Sequence, residues 1–174
     1  MTTDQLRGIR AVQDLVYQLY ETELVGVQVY RAALEAVNHA KVQEEWQRYL
    51  TETEQHVEVA RSIVVALGLD PDRDIPARNF VRRIGQALLA NIREALSSGD
   101  RSAAELAAAE AIVYMETKDH FNWELLRCVP TQQAADLAKV IDQAIHDVEP
   151  QEARHLYYTR ASLRELWSGA LRAT

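Results

Sequence analysis

Long stretches of this chain repeat apolar side chains every three or four residues, and this spacing constrains its fold more than any other feature. Only six glycines and four prolines interrupt the 174 residues. No stretch alternates apolar and polar residues for long enough to predict a strand. The sequence therefore predicts an all-α protein. The predicted helices span about residues 4–37, 40–67, 79–96, 102–128 and 132–169.

The breaks between the predicted helices fall at residues that end or begin helices. Gly68 is expected to close the second helix, and the segment GLDPDRDIPARNF that follows predicts a crossover loop. Ser102 and Glu105 predict a capping box for the fourth helix. Pro150 is expected to kink the last helix or to divide it in two. These elements predict one domain over residues 1–174, a bundle of four long helices with a short helix in the crossover between the second and third of them.

Composition and charge exclude several classes of function. A net charge of −7 opposes binding to phosphate backbones, so nucleic acid is not an expected partner. No window approaches the roughly 18 apolar residues that a membrane span needs, so no membrane partner is expected either. The start MTTDQLRGIR has no apolar signal core, which favours the cytoplasm. Cys128 is the only cysteine, which excludes an internal disulfide and a multi-cysteine metal site.

The last predicted helix places polar side chains among the apolar positions of its buried stripe. Glu152 and His155 follow Ile145 and Val148 on this stripe, at Glu-x-x-His spacing. This spacing puts a carboxylate and an imidazole on adjacent turns of one face, where both can bind one metal ion. Alone, the motif also occurs by chance on many helices, usually as a solvated pair.

The other long helices repeat this pattern. Glu23 interrupts an apolar stripe of the first helix, and a buried carboxylate needs a metal ion or an arginine to offset the cost of its burial. His56 lies on the apolar stripe of the second helix, and Glu116 and His120 share one stripe of the helix after Ser102. The candidate metal ligands are Glu23, His56, Glu116, His120, Glu152 and His155.

Three segments resemble helices of the ferritin-like superfamily, and in particular its bacterioferritin-type and rubrerythrin-type di-iron carboxylate proteins. ETELVGVQVY resembles the first helix of these proteins, ETEQHVEVARSIVVALGLDP the second and EARHLYYTRASL the fourth. The resemblance covers most of the chain and implies a ferritin-like four-helix bundle that binds iron or manganese, with Glu152 as a bridging ligand. The ligands that it implies are Glu23, His56, Glu116, Glu152 and His155.

The chain departs from the family pattern at Thr53, where the family has a metal-bridging glutamate three residues before the histidine. Glu52 and Glu54 flank Thr53 but project about 100° to either side. Either a neighbouring carboxylate reaches the site, or the site lacks one bridge and holds one metal ion or none. His120 is an extra donor, and the resemblance leaves open whether Asp119, Glu110, Glu52 or Glu54 also binds metal.

The resemblance implies a non-haem di-metal oxidoreductase that uses dioxygen or peroxide on a small molecule or on ferrous iron. Two alternatives stay open: a metal-binding, storage or stress-response bundle without turnover, and a metal-free interaction bundle. Any one of the histidines taken alone is more readily a satisfied core or interface residue. The expected partners are a small-molecule substrate or oxidant and further copies of the chain in a homo-oligomer.

Overall fold

The structure is a computed structural model that describes residues 3–130 and 135–172. Those residues form helices and connections without any strand, which confirms the all-α prediction. No helix within the described ranges is both long enough and apolar enough to be a candidate membrane span. The helices are α1 (Thr3–Ala36), α2 (Ala40–Ala66), α3 (Pro76–Ser97), α4 (Arg101–Leu126) and α5 (Ala135–Arg172).

The helix ends differ from the predictions in ways that local chemistry explains. Asp100, not Ser102, caps α4, because its carboxylate accepts a 3.0 Å hydrogen bond from the Ser102 amide. Glu105 instead accepts hydrogen bonds from the backbone amides of Asn38 and His39, so it ties the turn between α1 and α2 to α4. The predicted capping box is therefore wrong.

The last helix is continuous where the sequence allowed a break. α5 runs through Pro150 as one helix, so the interpretation as two separate helices is wrong. Its predicted beginning near residue 132 lies outside the described residues. Because the helix continues past the proline, residues on both sides of it share the same buried stripe.

The helices pack around two apolar clusters. α1 contacts α2, α3 and α4; α4 also contacts α3 and α5; and α2 contacts α5. One apolar cluster includes Trp46 and Tyr49, and the other includes Ile63 and Trp123. On α1, α2, α4 and α5, buried polar residues lie between the residues of the two clusters. This polar layer contains Thr22, Glu23, Thr53, His56, Glu116, Asp119, Asn122, Glu152, His155 and Thr159.

A separate buried ion pair holds α3 against α1. The Glu21 carboxylate accepts hydrogen bonds from Arg78 at 2.6 Å and from Arg82 at 2.7 Å. Gly85 of α3 lies so close to α1 that an added Cβ would clash with the side chain of Val25. The glycine therefore permits a close approach that the arginines then hold in place.

Candidate metal centre

Five of the six predicted ligands come together in the polar layer. Glu23, His56 and Glu152 form one group of potential ligands, and Glu116, His155 and Glu152 form a second. The ligand atoms of each group lie within 4.8 Å of one another, close enough to surround one ion. All five side chains are buried, and Glu152 belongs to both groups.

Polar atoms that meet at this cluster lack hydrogen-bond partners. Among the described residues, nine buried side-chain nitrogen and oxygen atoms have none, and seven of the nine belong to these five residues and to the neighbouring Asp119. Native proteins satisfy nearly all buried polar groups, so this concentration of unsatisfied atoms indicates a place for a cation. The seven are Oε2 of Glu23 and of Glu116, Nδ1 of His56 and of His155, Oδ1 of Asp119, and both carboxylate oxygens of Glu152.

Both imidazoles turn Nδ1 towards the carboxylates and Nε2 away from them. Nδ1 of His56 lies 2.8 Å from Oε1 of Glu152, outside hydrogen-bond geometry, and Nδ1 of His155 lies 3.5 Å from the same oxygen. On the outer side, Nε2 of His56 is 3.2 Å from Oε1 of Gln151, and Nε2 of His155 is 2.5 Å from Oε2 of Glu52. An acceptor oxygen at Nε2 places the ring proton there. The Nδ1 lone pairs are therefore free to bind metal.

Asp119 is a fourth carboxylate of the cluster. The sequence placed it slightly off the buried stripe of its helix, but the structure buries it near Glu23, whose pKa its charge raises. It follows Glu116 by three residues, which puts the two carboxylates on adjacent turns of α4. Because α4 contacts α1, α3 and α5, its buried face is wider than one stripe.

Burial and mutual repulsion disfavour ionisation of three of these carboxylates, Glu23, Glu116 and Asp119. Burial raises the pKa of Glu23 well above its ordinary value, and the charges of Asp119 and Glu152 raise it further, whereas the hydrogen bond from Trp123 lowers it. Burial is also the main reason that the pKa values of Glu116 and Asp119 are raised, and the charge of Glu152 adds to both. The cluster therefore favours bound protons or bound cations.

Neighbouring side chains hold the cluster in position. The Tyr30 hydroxyl donates a 2.5 Å hydrogen bond to Oε1 of Glu116. Arg154 donates to both oxygens of Glu52, at 2.9 and 2.8 Å. Burial alone would raise the pKa of Glu52, but the hydrogen bonds from His155 and Arg154 outweigh burial and lower it. Glu52 is therefore an anion that contacts the outer nitrogen of a candidate ligand.

His120 and Thr53 are placed differently from the clustered residues. His120 is partly exposed, its Nε2 lies 3.4 Å from Oε1 of Glu124, and it joins neither group of potential ligands. Thr53 is buried at the level of the cluster, where its methyl carbon would lie 3.3 Å from a Cβ added to Gly26. A hydroxyl thus stands where the family pattern has a carboxylate.

Two further acidic residues near the predicted stripes point away from the cluster. Glu54 pairs with Arg31 at 2.7 Å, and both side chains are largely exposed. Glu110 accepts a 3.1 Å hydrogen bond from the indole of Trp167. Of the flanking acids that the sequence left open, Asp119 thus lies in the cluster and Glu52 contacts it from outside.

Comparisons of the chain with protein-family models, with curated proteins and with solved structures find no match. The structure is that of an all-helical protein with a buried cluster of carboxylates and imidazoles that could hold metal ions. Its function has to be inferred from the chemistry of that cluster.

Proposed function

We propose that this chain is a ferritin-like non-haem di-metal protein that binds iron or manganese and acts as an oxidoreductase with dioxygen or peroxide. The observation that carries the proposal is the pair of ligand groups that share Glu152 and contain most of the unsatisfied buried polar atoms. One carboxylate between two sets of ligands is the arrangement that a bridged pair of ions requires.

The charge of the cluster favours two ions over one. Glu23, Glu116, Asp119 and Glu152 supply four negative charges when ionised, and the two imidazoles supply none when neutral. Two divalent cations neutralise four carboxylates, whereas one cation leaves two charges uncompensated in a buried site. In this count, Asp119 supplies the negative charge that Thr53 lacks.

The ligand types support iron or manganese. Carboxylate oxygens with a minority of imidazole nitrogens suit both metals. Cys128, the only cysteine, is exposed and belongs to neither group of potential ligands. A bound redox-active metal would supply the electrons with which an oxidant is reduced. The residues of the chain orient the ligands: Trp123 donates to Glu23 at 2.8 Å and Tyr30 donates to Glu116 at 2.5 Å.

The helix contacts support the four-helix bundle that the resemblance implies. α1, α2, α5 and α4 contact one another in a closed cycle, and each of the four contributes a side chain to the cluster. α3 lies in the connection between α2 and α4 and contacts α1 and α4. In the proposed bundle, α3 would be the additional short helix of the crossover.

Exposed aromatic side chains support the homo-oligomer that the sequence predicts. Tyr114 of α4 is 68% exposed and Tyr157 of α5 is 70% exposed, although large aromatic side chains usually lie buried. Packing these helix faces between copies of the chain would remove apolar area from water. Size-exclusion chromatography with light scattering measures the oligomeric state, and a monomer at all concentrations would contradict this part of the proposal.

Metal analysis of protein purified without chelators tests the proposed function. We expect up to two iron or manganese ions per chain, and sharply less in Glu152→Ala and His155→Ala. Glu110→Ala, on α4 but outside the cluster, is the matched control and should keep the wild-type content. Equal metal content in all four proteins would contradict the proposal.

Oxygen consumption after anaerobic loading with ferrous iron separates an oxidoreductase from a storage protein. The proposal predicts rapid uptake of oxygen by the wild type and little by Glu152→Ala. Binding of ferrous iron with uptake no faster than that of free iron would favour metal binding without turnover. Absence of binding would favour the metal-free interaction bundle.

A further inference from the structure

The two imidazoles of the cluster differ in what their outer nitrogens contact. Nε2 of His155 faces a carboxylate oxygen of Glu52 at 2.5 Å, whereas Nε2 of His56 faces the amide oxygen of Gln151 at 3.2 Å. The inner nitrogens face the same residue, Glu152. The asymmetry therefore lies on the outer side of the rings.

Both outer contacts are fixed by further hydrogen bonds. Arg154 donates to both oxygens of Glu52, which holds that carboxylate beside His155. The amide nitrogen of Gln151 donates to the backbone oxygen of Asp147 at 3.0 Å, which turns its Oε1 towards His56. Neither contact depends on a freely rotating side chain.

An acceptor at the outer nitrogen changes how strongly an imidazole binds metal. A carboxylate accepts the ring proton more strongly than an amide does, because the hydrogen bond is charge-assisted. The stronger acceptor increases electron density at the inner nitrogen and fixes the ring orientation. An imidazole whose outer nitrogen contacts a carboxylate is thus a stronger metal ligand than one whose outer nitrogen contacts an amide.

We infer that Glu52 is a positioning residue that strengthens His155 as a metal ligand, and that Gln151 is its weaker, uncharged counterpart for His56. This inference rests on the proposed di-metal function. The affinity of each metal position can then be changed separately. Glu52 acts on the position formed by Glu116, His155 and Glu152. Gln151 acts on the position that includes Glu23 and His56.

The location of the two residues allows this inference to be tested by substitution. Glu52 and Gln151 line a surface depression of about 490 Å³ between α2 and α5, together with other polar side chains. Exchanging Glu and Gln keeps the side-chain length and leaves no cavity in the apolar clusters. The depression is also lined by Arg48, Thr51, Gln55 and Arg154.

Reciprocal substitutions with a Mn²⁺ titration test the inference. The electron paramagnetic resonance signal of free Mn²⁺ gives both dissociation constants without any turnover. Glu52→Gln should weaken one of the two by roughly 10–100-fold, and Gln151→Glu should strengthen the other by about tenfold. Glu54→Gln, two residues from Glu52 but paired with Arg31 at the surface, should leave both constants unchanged.

Double variants show whether Glu52 acts through His155. In a His56→Ala background, Glu52→Gln should still weaken the remaining site, whereas in a His155→Ala background it should have no effect. A loss of the same size in both backgrounds would overturn the inference, as would constants within threefold of wild type in Glu52→Gln itself. A wild-type chain that binds no Mn²⁺ and no Fe²⁺ would instead overturn the proposed function.

Discussion

Two buried carboxylates on α1, only two residues apart, have opposite surroundings. Glu21 lies between Arg78 and Arg82, so its charge is offset by guanidinium groups at 2.6 and 2.7 Å. Glu23 faces other carboxylates and leaves Oε2 without a hydrogen-bond partner. A buried acid is therefore not by itself a sign of function. An acid whose partners are further acids is a sign, because folding alone does not explain that cost.

The largest expected effect is a difference in stability between two equivalent substitutions in the metal-free protein. Glu21→Gln leaves Arg78 buried without its counter-charge and should lower the free energy of unfolding by about 3–5 kcal/mol. Glu23→Gln removes one of several repelling carboxyls and should leave that free energy equal or higher. Urea denaturation in the presence of a chelator measures both. Destabilisation of similar size by the two variants would remove the distinction between the two acids.

The pH dependence of the metal-free protein should follow the raised pKa values of the cluster. Glu23, Glu116 and Asp119 bind protons more tightly in the folded than in the unfolded chain, so the free energy of unfolding should fall as pH rises above about 5. Burial lowers the pKa of His155, and this contribution has the opposite sign but comes from one group.

Denaturation between about pH 5.5 and 7.5, with and without metal, checks this dependence. If Mn²⁺ binds as proposed, it would replace these protons, so the loaded protein should be more stable than the metal-free protein at the higher pH. Glu23→Gln should make the free energy of unfolding of the metal-free protein depend less on pH. If the metal-free protein instead gains stability over this range, the folded protein does not disfavour ionisation of these carboxylates, which contradicts the prediction.

A smaller effect is expected from introducing at position 53 the carboxylate that ferritin-like proteins have there. Thr53→Glu adds a fifth negative charge to a cluster that the two proposed divalent ions would already neutralise, and it enlarges a side chain packed close to Gly26. We therefore expect metal content at or below the wild-type value, with Thr53→Ser as the conservative control. A clear rise in metal content would show that Asp119 does not fill the gap.

The smallest effect is expected at Tyr30. Tyr30→Phe removes the hydroxyl that donates to Glu116 while keeping the ring in the core. Metal affinity at the position that includes Glu116 should fall by about tenfold, and that at the Glu23 position should not change. A Mn²⁺ titration resolves the two. Equal weakening of both positions would indicate a general loss of packing instead.

Much of the fold was predictable because helical periodicity is a local property of the chain. The second helix, predicted over residues 40–67, spans Ala40–Ala66. The third begins three residues earlier than predicted, because Pro76 suits the first turn of a helix. Cap identity was harder to predict, because Asp100 and Ser102 both have side chains that can cap and only their geometry decides between them.

The site was predictable where its residues lie on the main buried stripe of a helix. Glu152 and His155 stand on such a stripe of α5, and the structure buries both. Asp119 was not included because α4 is buried against three helices, so a residue off the stripe still reaches the interior. The contact between Glu52 and His155 joins residues 103 positions apart in the sequence, and periodicity within one helix carries no information about such a pair.

The most direct test of the central claim is a crystal structure of protein grown with iron or manganese, with anomalous data collected at the absorption edge of that metal. The proposed di-metal centre predicts two anomalous peaks in the polar layer, one bound by Glu23, His56 and Glu152 and the other by Glu116, His155 and Glu152. Both peaks should contact the Glu152 carboxylate. Crystals grown with excess metal in which the cluster side chains are well ordered, but with no anomalous peak at either position, would contradict the account.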